Sequence, residues 1–306
     1  MDVVDAAELA ADAHATPVGL VGSVTVFEEK PPSGAEVAHA AAAMERYTGR
    51  RLDALLAFEA AGVNALLAVI AAAGLRLPLI DADGMGRAFP QLDQTVFTLH
   101  ELPVSPMVLA DVKGSLAILD SVDGTVGERL ARSAMVTMGG WAMLLFAPQR
   151  AADLAKCAIT GTVRKALQLG EALLRDELRT TVSEHGGRTL FRGRVVEVKR
   201  GPRGRFAGGS AVLRHLDDRD RLLRLEFQNE NMLAVEDGRV RACVPDIIAL
   251  LEVSRCAPVT SEELRYGLEL EVLALPCAPA WRTPGGLRLV GPRAFGYDLA
   301  YPNPAS

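Results

Sequence analysis

Residues 53–86 read DALLAFEAAGVNALLAVIAAAGLRLPLIDADGMG, and this stretch decides the fold. Residues 53–58 form an apolar run of buried-strand length that ends at Glu59. Gly62 and Asn64 lead into a helical run over 65–74, which Gly74 stops. Residues 77–80 (LPLI) make a further strand, ending in Asp81-Ala82-Asp83-Gly84. Strand, helix and strand in this order imply parallel strands joined by a right-handed crossover.

Working outward, residues 17–26 (PVGLVGSVTV) are β-branched and apolar and read as one strand, followed by Glu28-Glu29-Lys30. A helix follows over 31–49, with Ser33 and Glu36 at capping-box spacing and Gly49 as its closing glycine. Strands are expected near 107–111 and 116–119, a helix containing Trp141 over 127–145, and another helix over 162–178. From residue 189 the pattern becomes short β-rich runs broken by Gly, Pro and Asp. Strand candidates fall at 190–199, 211–216, 222–229, 239–244, 247–253, 268–275 and 287–289. The expected architecture is an α/β three-layer domain with a mainly parallel sheet over 1–180. A small all-β, barrel-like domain is expected over 189–300.

Composition narrows the function classes. The chain has 306 residues, of which 49% are hydrophobic and 23% charged, enough apolar content to bury cores. Acids outnumber bases 38 to 33, which argues against a nucleic-acid binder working through a general basic surface. No apolar run has the length of a membrane span, and the acidic N-terminus lacks the basic start of a signal peptide. Four scattered cysteines form no CxxC pair, so a reduced, cytoplasmic protein is expected. Only five bases are lysines, namely Lys30, Lys113, Lys156, Lys165 and Lys199.

In open parallel sheets, ligands bind outside the carboxyl ends of the strands. The polar groups at those ends are Lys30 with its two glutamates, Glu59, and Asp81 with Asp83. Asp81 and Asp83 share one face if the strand persists, so they can serve as a general base beside Arg87 or hold a divalent cation. The alternative is a turn held by Asp side-chain bonds to its own backbone. Asn64 sits at a helix start, either as its N-cap or beside amides that bind anions. The run Glu226–Asn231 (EFQNEN) is unusually polar within a β pattern and must meet water or polar partners. Asn229, Glu230 and Asn231 are therefore expected at a site or between domains, with Asp246 and Arg293 as weaker candidates. His100 has no second histidine near it. No HExxH, GxSxG, Walker A or GxGxxG pattern occurs.

Taken together, DADGMGRAFP (81–90) followed by Pro103 and Pro106, VGSVTVFEEKPPSG (21–34), EAAGVNALL (59–67), FQNENMLAVEDG (227–238), VPDIIALLE (244–252), TSEELRYGLELEV (260–272) and GPRAFGYD (291–298) carry a resemblance. The chain resembles the S-methyl-thiohydantoin desulfurase-like family over about residues 17–298. The resemblance implies the two-domain fold given above and action on a five-membered cyclic imide or thiohydantoin. It also implies association with hydantoinase or oxoprolinase subunits. Two departures are visible. The family's Gly-rich segment ahead of the first strand, a source of amides for an anion, is not found in residues 1–16. Ala60 and Ala61 stand where an EIGG-type run is commoner.

The leading expectation is hydrolysis of the C–S bond of an S-methyl thiohydantoin. Asp83, Asp81 or Glu59 would supply the base; Arg87, Asn64, Lys30, Asn229, Glu230, Asn231 and the amides near Gly84 would hold the ring. A non-catalytic partner subunit and a metal-dependent hydrolase using Asp81, Asp83 and His100 are the alternatives. No cofactor is expected beyond that divalent metal. The expected partners are a small cyclic substrate and a second copy or a hydantoinase-type subunit.

Overall fold

A computed structural model describes residues 1–203 and 206–302. The chain divides into two compact units, Met1–Ala166 and Leu167–Ser306. The first contains β1 (Val3–Val4), β2 (His14–Gly22), α1 (Val24–Glu29), α2 (Glu36–Thr48), β3 (Ala54–Ala57), α3 (Gly62–Leu75), β4 (Leu79–Asp83), α4 (Val96–Leu99), β5 (Met107–Ala110), β6 (Leu116–Leu119), α5 (Gly124–Thr137), β7 (Trp141–Leu145), β8 (Gln149–Arg150), α6 (Ala151–Cys157) and β9 (Ile159–Thr160). Helix α7 (Thr162–Leu174) starts in this unit and runs into the next.

The sheet of the first unit runs β1-β4-β3-β2-β7-β5-β6. Strands β1, β4, β3 and β2 pair in parallel, as the β-α-β reading of residues 53–86 requires. Beyond β2 every pairing is antiparallel, so parallel order holds in one half only. Leu55 and Leu56 of β3 are fully buried, each worth roughly 1.5–3 kcal/mol relative to exposure. Helices α2 and α3 pack Ala40, Met44, Leu67, Ala68 and Ala72 into the same core as Val18, Leu55 and Leu79.

Local expectations are corrected at three points in this unit. Residues 17–26 are not one strand: β2 ends at Gly22, and Ser23 caps α1 by accepting from Val26 N. A Cβ at Gly22 (φ 137°) would lie 2.4 Å from the Gly140 carbonyl, so glycine lets β2 approach β7 there. Residues 127–145 are not one helix. Gly139 and Gly140 take φ of 94° and 99°, ending α5, and the following apolar run becomes β7, buried between β2 and β5. The capping box is only half formed: Glu36 accepts from the Ser33 and Gly34 amides at 2.6 and 2.9 Å, while Ala35 is the N-cap.

The second unit contains α8 (Leu178–Glu184), β10 (Arg188–Arg203), β11 (Phe206–His215), β12 (Leu222–Gln228), β13 (Glu230–Glu236), β14 (Arg239–Cys243), β15 (Ile247–Glu252), β16 (Ala257–Pro258), β17 (Glu269–Leu275) and α9 (Pro284–Val290). Its separate antiparallel sheet runs β14-β13-β12-β11-β10-β17-β15-β16. Side-chain bonds from Asn231 to Ile248 O and from Arg188 to Arg241 O tie strands that are not ladder neighbours. Residues 287–289, expected as a strand, lie in α9, which Pro284 opens and Thr283 caps. EFQNEN spans the end of β12 and the start of β13. Asn229 takes φ 60° at the turn between β12 and β13, where Gln228 pairs with Glu230. Among the described residues, no helix is long and apolar enough to cross a membrane.

Candidate functional site

The carboxyl ends of β3 and β4 converge with the start of α3. Gly84 N donates to Phe58 O at 3.1 Å, closing the two strand ends together. A Cβ at Gly84 would sit 2.7 Å from the Phe97 ring, so only glycine fits this approach. Asp83, the last residue of β4, is 1% exposed. Its Oδ1 accepts from Met85 N at 3.0 Å and Gly86 N at 2.6 Å, and its Oδ2 accepts from Ala60 N at 2.6 Å. A carboxylate offers about four lone-pair positions. The three amides leave one, on Oδ2.

Burial pushes the Asp83 carboxyl up to about 6, against the pull of those amides and of the nearby Lys165 charge. Lys165 is half-buried in the first turn of α7. Burial lowers its ammonium, while Asp83 acts in the other direction. Sequence reasoning did not select Lys165. The available signal was its rarity, one of five lysines among 33 bases, at a helix start after Gly161-Thr162.

Asn64 is not the N-cap of α3; that position is Ala61, which makes no side-chain cap. Asn64 is buried and accepts from Leu20 N at 2.6 Å through Oδ1. Its Nδ2 donates to Glu59 Oε1 at 2.6 Å, so it orients the glutamate. The structure therefore brings together Glu59, Asn64, Asp83, Gly84 and, unexpectedly, Lys165. The Gly84, Met85 and Gly86 amides, expected to cradle a ring, are engaged by Phe58 O and Asp83.

Other predicted residues serve elsewhere. Asp81 is 1% exposed and turns to α7: its Oδ1 accepts from Val163 N at 2.9 Å and Arg164 N at 3.1 Å, and Arg164 pairs with Oδ2 at 3.1 Å. Arg87 is buried, donates from Nε to Ala88 O at 3.0 Å, and lies 5.1 Å over the Phe89 ring. Lys30 caps the end of α1 rather than a strand, and its Nζ donates to Met138 O at 3.2 Å. His100 is exposed at the end of α4. Among the described residues, no group of three or more His, Cys, Asp or Glu side chains is placed to hold a metal ion.

Asn229, Glu230 and Asn231 belong to the second unit. Asn229 O accepts from Ser261, and Asn231 Nδ2 donates to Ile248 O at 3.0 Å. Asp246 Oδ1 accepts from Cys277 N at 2.9 Å and Tyr301 OH at 2.8 Å. Arg293 lies 3.9 Å from the exposed Asp298.

Parallel strands that carry Glu59 and Asp83 at their carboxyl ends, beside the start of α3, define an α/β protein with its polar groups at the sheet edge where such folds bind ligands. The S-Me-THD-like N-terminal domain matches residues 1–121 and the S-Me-THD-like C-terminal domain matches residues 122–303. The chain belongs to the S-Me-THD-like family. The join between the two family domains falls inside the first compact unit. No curated protein matches the chain. A crystal structure of a protein from Chromobacterium violaceum aligns with a TM-score of 0.83 and 24% identity, covering 99% of this chain and 87% of that one. That likeness shows the fold.

Proposed function

We propose that the chain is an enzyme that desulfurises an S-methyl thiohydantoin-type ring. Its two units would be the three-layer α/β and barrel-like domains that the family resemblance implies. The observation that carries this reading is Asp83, a buried carboxyl with one acceptor position unspent and a proton affinity raised to about 6. A base of that strength holds and releases a proton near neutral pH.

In this reading water attacks the amidine-like ring carbon C2, and its proton passes to Asp83 Oδ2. The C2–S bond then breaks. C2 keeps the new oxygen as the hydantoin carbonyl, the hydrogen remaining on that oxygen moves to the ring nitrogen of the former C=N bond, and the sulfur leaves as methanethiolate, which takes up a proton to become methanethiol. Glu59, oriented by Asn64, holds a ring N–H. The uncapped first turn of α3 faces the charge that develops on the ring.

Incubation of the full chain with an S-methyl thiohydantoin should release methanethiol, read with a thiol-reactive dye. Asp83→Asn should lower kcat/KM by about 10²–10⁴-fold. Glu59→Gln should mainly raise KM. Absence of thiol release by the wild-type chain overturns the reading, and full activity in Asp83→Asn removes Asp83 from it.

A further inference from the structure

Desulfurisation leaves one proton unassigned, the one the departing sulfur must collect. The start of α7 is fixed to β4 at three points. Strand β9 pairs with the end of β4, setting Ile159 opposite Asp83 and Thr160 opposite Ala82. Gly161 N then donates to Asp81 O at 2.8 Å. The buried Asp81 carboxylate receives the Val163 and Arg164 amides and the Arg164 guanidinium. A buried carboxylate accepting amides and an ion pair is costly to disturb, so it sets the helix start firmly. The next residue is Lys165, whose own amide is bound to Gly161 O at 2.9 Å. Its half-buried ammonium lies within electrostatic reach of Asp83.

We infer that Lys165 is the acid of the site, delivering its proton to the leaving thiolate, and that Asp81 is the positioning residue that holds it there through α7. This rests on the desulfurase reading. The proton cycle closes within the pair. Asp83 takes a proton from water as the C–O bond forms, and Lys165 gives one to sulfur as the C–S bond breaks. Asp83 then returns its proton to Lys165. No oxidant or cofactor is required.

The test varies the leaving group. An alkanethiolate needs a proton to depart, whereas an arylthiolate of low basicity leaves unaided. In the full chain, Lys165→Met should lower kcat/KM by about 10²–10⁴-fold on the S-methyl substrate. On an S-aryl thiohydantoin the loss should stay within about tenfold of wild type, because only the protonation component of the barrier is removed. Lys165→Arg keeps the charge but cannot release a proton, so it should behave as Lys165→Met does. Asp81→Asn should show the same leaving-group dependence in weaker form. Equal losses on both substrates, or activity retained in Lys165→Arg, overturns the assignment while leaving desulfurisation intact. Release of thiol from neither substrate by the wild-type chain overturns the desulfurase reading instead, and the assignment with it.

Discussion

Replacing Asp83 by asparagine keeps the shape of the side chain but not its hydrogen-bond sense. With its carbonyl oxygen toward Met85 and Gly86, the new NH2 group faces Ala60 N, 2.6 Å from the oxygen it replaces. Two donors then meet in a buried place, a loss of about 1–3 kcal/mol. The same change removes a buried charge. Burial raises the Asp83 carboxyl from 3.8 to about 6, which opposes folding by roughly 3 kcal/mol once both states are ionised. The proton is bound more tightly in the folded chain. Its stabilisation is therefore complete below about pH 3.8 and is lost as the pH rises through about 6. Asparagine has no such dependence. The destabilisation caused by Asp83→Asn should thus be larger at pH 5 than at pH 7, by about 1 kcal/mol. The two tryptophans make this measurable: Trp141 lies in the first unit and Trp281 in the second. In a Trp281→Phe background, urea unfolding followed by fluorescence reports the α/β unit. A pH-independent difference, or a larger loss at pH 7, would refute both the raised proton affinity and its cause.

Two further outcomes follow from the same contacts. Asn64→Ala leaves the buried Leu20 amide without its acceptor and removes the Asn64 bond to Glu59; the α/β unit should lose about 1–3 kcal/mol in the same unfolding assay, and a loss below about 0.5 kcal/mol would show that these Asn64 bonds are not structural. In the second unit, burial opposes ionisation of Glu271, but its bonds from Arg179 and Thr189 more than offset this, so its carboxyl titrates below the ordinary 4.5. The stability it contributes is present above that value and lost as the pH falls. Glu271→Gln should flatten the acid side of the stability–pH curve read from Trp281, and an unchanged curve would exclude this ion pair as the cause.

Local sequence determined what depends on neighbours along the chain. The run over residues 53–86 gave strand, helix and strand in parallel order. The positions of Glu59, Asn64 and Asp83 at the strand and helix ends follow from that order. The family, too, was legible in short motifs spread along the chain. Elsewhere short apolar runs were ambiguous, because periodicity cannot separate a buried strand from a buried helix over a few residues. Residues 141–145 became a strand because β2 and β5 offered ladder partners on both sides, and residues 284–290 became a helix because Pro284 and Thr283 start one. The division of labour between Asp81 and Asp83 was beyond the sequence altogether. Both sit on one strand two residues apart, yet one receives the start of α7 and the other the amides of Ala60, Met85 and Gly86. Their roles depend on which distant amides the fold brings to each. Lys165 comes within electrostatic reach of Asp83 for the same reason, through a pairing of β9 with β4 across more than seventy residues of chain.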